Sequence, residues 1–115
     1  MADGDERTIT RGEFAGSIQR EISAAAGTTD VTLVPALADK TINLRSCLLN
    51  NSVAADLAIK GSSDSTAQLP VTIGAGASLQ VEKRDQIRAA TAGDALVMTR
   101  SASTAIKGYV IYDRS

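Results

Sequence analysis

Five carboxylates sit in or beside stretches that read as loops: Asp56, Asp64, Glu82, Asp85 and Asp94. Two of them facing each other on a rim would supply an acid and a base, or oxygen ligands for calcium. Their spacing sets no separation between any pair, and they read as solvated loop charges. The chain has no histidine, so serine triads and most zinc sites lose their usual base or ligand. The single cysteine, Cys47, excludes an internal disulfide, and its thiol lacks the base that would activate it. It reads as a small buried strand residue. Gly74-Ala75-Gly76-Ala77 lacks the Lys-Ser/Thr ending of a phosphate-cradling loop, and no helical pattern follows it. It reads as a turn. Lys83, Arg84 and Arg88 form a basic cluster offset by Glu82 and Asp85. Such a cluster suits a solvated turn, or ion pairs across a subunit boundary. In Gly93-Asp94 the glycine suits a positive-φ turn, and the aspartate caps it through local backbone. No catalytic, metal or cofactor site is expected, and the chain reads as a non-enzyme.

The elements that would carry these groups are strands. Val31-Thr32-Leu33-Val34 is a short one, stopped by Pro35. Thr41 to Leu49 is the longest candidate, with Ile42, Leu44 and Leu48 expected on one face and Asn43, Arg45 and Cys47 on the other. Val53, Ala55, Leu57 and Ile59 fall on one face of a run from Val53 to Lys60, as in an antiparallel strand with one buried face. Pro70 places the Gln68–Ile73 strand at an edge or a bulge. Ser78–Val81 and Gln86–Ala90 read as two short strands around a charged turn, Glu82–Asp85. Ala95–Ser101 and Ile106–Tyr112, separated by a small polar loop, read as a β-hairpin. In its second strand Ile106, Val110 and Tyr112 share a face with Gly108, which leaves a hole for a neighbouring side chain or backbone to fill.

The first residues differ. Asp3, Asp5, Glu6 and Glu13 mix with Arg7 and Arg11, and residues 1–16 read as an extended N-terminal arm, ordered only by contact with something else. Beyond it, Phe14, Ile18 and Ile22 are four apart and suit a helix face. Ile18 and Ile22 also suit a strand from Ser17 to Ala25, which agrees better with the β character of the remaining chain. About eight short strands with turns every 8–12 residues predict an all-β fold. The expectation is a single antiparallel β-sandwich or jelly-roll-like domain over residues 17–115.

One domain of 115 residues can bury a modest core. Aromatic residues make up 3% of the chain, so that core must be aliphatic. A net charge of -1 gives no broad electrostatic grip on nucleic acid. The acidic first residues do not read as a signal peptide, and no apolar run approaches a membrane span. Neither nucleic acid nor membrane is an expected partner, and synthesis in a cytoplasm is.

Several stretches together resemble a family. They are Ile42-Asn43-Leu44, Leu57-Ala58-Ile59-Lys60-Gly61, Ile73-Gly74-Ala75-Gly76, and the closing Thr91-Ala92-Gly93-Asp94-Ala95-Leu96-Val97 with Gly108-Tyr109-Val110-Ile111-Tyr112. This order resembles small β-sandwich structural proteins of tailed bacteriophages, of the capsid decoration or cement kind, over about Val31 to Asp113. The resemblance implies a homotrimer without enzymatic activity, bound to the major capsid protein on the virion surface after synthesis in the host cytoplasm. On that reading, Arg7, Arg11 and Phe14 of the arm contact the capsid, and strand faces carrying Leu49, Val97, Tyr109 and Ile111 form the trimer interface. A tail or fibre component with a carbohydrate- or receptor-binding β-sandwich module is the alternative.

Overall fold

Alternation of apolar and polar residues along short runs gives this chain strands, and strands with one apolar face must bury it against a second sheet. In a computed structural model, residues 4–12, 15–63, 69–73, 78–88 and 92–115 are described, with the backbone alone described in 69–73 and 78–88. Nine strands occur among them: β1 (Glu6–Thr8), β2 (Ile18–Gly27), β3 (Val31–Val34), β4 (Ile42–Asn51), β5 (Ala55–Gly61), β6 (Leu69–Ile73), β7 (Ser78–Arg88), β8 (Leu96–Arg100) and β9 (Thr104–Arg114). One sheet has the order β1-β2-β9-β4-β7 and the other β3-β8-β5-β6. Every pairing described is antiparallel. The protein is an all-β sandwich, as its alternation predicts. The strand alternative for the segment around Ile18 and Ile22 is the one realised, and β6 with Pro70 is an edge strand, as expected.

The core is aliphatic. Ile22, Ile42, Leu44, Leu49, Ile106 and Val110 enter it from the five-stranded sheet, and Leu33, Val34, Leu57, Ile59, Leu96 and Met98 from the other. Cys47 is buried among them. Tyr112 adds the largest fully buried side chain. Each aliphatic side chain so buried contributes roughly 1.5–3 kcal/mol before chain entropy is set against it.

Several expectations are corrected. The closing strands are not a hairpin. β8 pairs with β3 and β5, while β9 pairs with β2 and β4. The chain crosses from one sheet to the other at residues 101–103, so each strand gains a neighbour on both sides. In β4 the register shifts between Leu44 and Ser46, and the extra residue, Arg45, turns the faces over. Ile42 and Leu44 point inward before it, Cys47 and Leu49 after it, and Leu48 points outward. The charged run Glu82–Asp85 is not a turn between two strands but part of the single long strand β7. The N-terminal segment is tied to the chain's own sheet: Glu6, Arg7 and Thr8 pair with Arg20, Gln19 and Ile18. Val53, expected on the inward face, lies exposed in the turn before β5.

Gly108 explains how the centre of the five-stranded sheet closes. It lies in register between Ile22 of β2 and Leu49 of β4. Its φ is +148°, and a Cβ there would run into the carbonyl oxygen of Leu48. Backbone, not a side chain, fills the hole that a glycine leaves in this strand.

Candidate functional site

The expected interface residues do not share one surface. Leu49 is 1% exposed and belongs to the core, because the extra residue at Arg45 reverses the parity of β4. Val97 alternates with the inward Leu96 and Met98, so it faces outward from the four-stranded sheet. Tyr109 and Ile111 alternate with Val110 and Tyr112 and face outward from the five-stranded sheet, on the opposite side of the sandwich. Leu49 is thus removed from any outer surface, and Val97 lies on the face opposite Tyr109 and Ile111.

The outer face of the five-stranded sheet does hold a continuous patch. Register places Gln19, Ile111 and Ser46 in one row, and Glu21, Tyr109 and Leu48 in the next. Ser23, Lys107 and Asn50 form a third row. The centre is apolar, made of half-buried Tyr109 and Leu48 with Ile111, which is 7% exposed under its neighbours. Leu48 is the member that simple alternation misses; its one signal in the chain is the pair Leu48-Leu49, which sends one leucine to each face. Charges of both signs frame the patch. Arg7 donates to Gln19 Oε1 at 3.1 Å, Gln19 donates to Glu21 Oε1 at 3.2 Å, and Arg45 lies 3.5 Å from Asp113. These are exposed or half-exposed contacts and contribute little to stability.

A polar cluster lies at the β1 edge. Tyr112 donates its hydroxyl to Glu6 Oε2, and Arg20 Nη1 lies 3.3 Å from the same oxygen. Arg20 also donates to Gly4 O at 3.2 Å. The Arg114 guanidinium stands 5.0 Å from the centre of the Tyr112 ring and donates to the Tyr112 hydroxyl and to Pro35 O. Burial pushes the Tyr112 phenol above its ordinary range, the hydrogen bond to Glu6 adds to the shift, and the Arg114 charge opposes it. The Arg20 guanidinium and the Tyr112 hydroxyl form a seat for an anion, with Arg114 bracing the phenol from its other side; the chain's own Glu6 occupies it.

The remaining candidates have structural partners. Asp94 is buried and accepts from Ser63 N at 3.1 Å and from the Ser63 hydroxyl at 2.5 Å. It therefore braces the end of β5 against the start of β8, in place of the local cap expected. Gly93 has φ +93°, as the turn requires. Asp56 is exposed on β5. Arg7 and Arg11 are exposed on β1 and on the loop after it. Phe14, Asp64 and Gly74-Ala75-Gly76-Ala77 lie outside the described residues, as do the side chains of Glu82, Lys83, Arg84, Asp85 and Arg88. Among the described residues, no three His, Cys, Asp or Glu side chains are grouped to hold a metal. No family model, curated protein or solved structure matches the chain.

Proposed function

We propose that this chain is a structural protein of a tailed-phage virion, a decoration or cement protein that binds the head shell as a homotrimer. The reading draws on the stretches from Ile42 to Tyr112 that resemble such proteins, and on an all-β sandwich with a small aliphatic core. One observation carries it furthest: the apolar centre Leu48, Tyr109 and Ile111, ringed by Arg45 and Lys107 with Glu21 and Asp113 on one sheet face. Charges of both signs around one face can pair with those of neighbouring copies about a three-fold axis, and a cluster with a tyrosine at its centre resembles the core of a protein interface. The proposed trimer surface is therefore this face, with Leu48 replacing Leu49 and Val97 omitted.

Binding an assembled shell but not its separated subunits stabilises the shell by mass action. Exposed Arg7 and Arg11, at the end of the molecule where β1 turns into β2, are the proposed contacts to the major capsid protein. The test is co-sedimentation of the protein with phage heads stripped of decoration. Wild type is expected to pellet with the heads and raise their rupture temperature, and Arg11→Glu to stay trimeric but in the supernatant. Wild type remaining in the supernatant would overturn the capsid role.

A further inference from the structure

Glu6 sits in a seat that belongs entirely to other strands. Arg20 is on β2, and Tyr112, with the Arg114 that braces it, is on β9. The strand that delivers Glu6 adds nothing to the core: all three residues of β1 are exposed, and none belongs to the buried cluster. β1 is therefore held by a short ladder to β2, by surface hydrogen bonds from Arg7 to Gln19 and from Arg20 to Gly4 O, and by the Glu6 carboxylate. Beyond it, Ile9 N donates to Ser17 O and Gly16 N to Ile9 O, which carries the pairing past the end of β1. Gly12 and Gly16 have φ +84° and +91°.

From this we infer that β1 is exchanged between copies, so that Glu6 of one protomer fills the Arg20 and Tyr112 seat of its neighbour. The inference rests on the oligomer proposed above. A strand that leaves its own sheet for an identical one loses and regains the same ladder bonds, the same ion pair and the same tyrosine hydrogen bond. Such an exchange is a low-cost route to assembly. Here no core burial is given up on the way. Once copies are already held together, the neighbour's β2 edge is present at high effective concentration, and exchange becomes intramolecular. The seven residues 10–16 would span about 25 Å if fully extended. The molecule measures 33 × 30 × 24 Å, so β1 reaches a directly adjacent edge and no farther.

The experiment uses the register pair Arg7 and Gln19, whose side chains touch on the outer face. Arg7→Cys and Gln19→Cys are combined in a Cys47→Ala background, oxidised, and run on a denaturing gel without reductant. Light scattering is recorded on the same sample before denaturation. Exchange predicts covalent dimers and trimers. An oligomer by light scattering whose disulfides are all within single chains overturns the exchange and leaves the oligomer standing. A wild-type chain that light scattering shows to be a monomer overturns both. If the double variant does not fold, mixing Arg7→Cys chains with Gln19→Cys chains, each in the same background, replaces it. A covalent product that neither chain forms alone is expected, and its absence in an oligomeric mixture overturns the exchange.

Discussion

Two ends of the sandwich are fastened in opposite ways. At the β8–β9 corner, the Arg100 guanidinium is 9% exposed and donates to Ala25 O at 2.9 Å, Thr29 O at 2.9 Å and Thr104 O at 2.7 Å. Beside it, the buried Thr104 hydroxyl donates to Asn51 and accepts from Val53 N at 3.0 Å. These bonds join β2, β4, β8 and β9 at the point where the chain passes between sheets. At the β1–β2 end, a three-residue strand lies on the sheet edge with its side chains in solvent. The same polar vocabulary, an arginine with oxygen acceptors, locks one end and only latches the other. Burial makes the difference: an acceptor stranded in the interior is costly, whereas one at the surface returns to water.

The contrast can be broken at several strengths. Gly108→Ala is expected to be the most severe change, about 4 kcal/mol or more, because it adds a collision with Leu48 to a positive φ. Urea unfolding would measure it, and a near-neutral result would show that β9 can shift away from β4. Next comes Arg100→Met, expected to cost roughly 3 kcal/mol by leaving interior carbonyls without a donor. A loss under about 1 kcal/mol would remove the corner's special standing.

Tyr112 ranks third and gives a pH signature. Its phenol is raised in the folded state, so the folded chain holds that proton more tightly than the unfolded chain does. That part of the stability is complete below the ordinary phenol value of 10.0 and is lost as pH rises from there through the folded value. Unfolding followed across alkaline pH should show stability falling, with a shallower fall in Tyr112→Phe; parallel curves would contradict the assignment. The smallest effect belongs to Glu6→Gln, about 1 kcal/mol or less, since the Glu6 side chain is 38% exposed. Hydrogen exchange should quicken at the amides joining β1 and β2 and stay unchanged in β4 and β9. Equal quickening everywhere would mean that β1 is integral to the sandwich.

The same contrast separates what the sequence discloses from what it conceals. Alternating Ala55, Leu57 and Ile59 announce an inward strand face, and the structure places them there. Strand, short loop, strand looks identical whether the chain turns back in one sheet or crosses to the other, so the β8–β9 corner reads as a hairpin. Bulges leave no local mark either: Arg45, like Leu33 in β3 where the register shifts between Thr32 and Val34, is one residue that changes which neighbours face inward. β1 escapes notice for a third reason. Glu6-Arg7-Thr8 has no apolar face, and an edge strand of this length forms by backbone pairing to a sheet that already exists. The interface patch inherits these errors, since choosing Leu48 over Leu49 requires knowing where the extra residue falls.

Light scattering on the purified chain in dilute solution, beside Tyr109→Glu, tests the self-association on which the proposed role depends. Three copies of the 11.9 kDa chain are expected for wild type, and a folded single copy for Tyr109→Glu. A wild-type protein that stays a single copy, or a Tyr109→Glu variant that assembles as well as wild type, would contradict the proposed trimer surface.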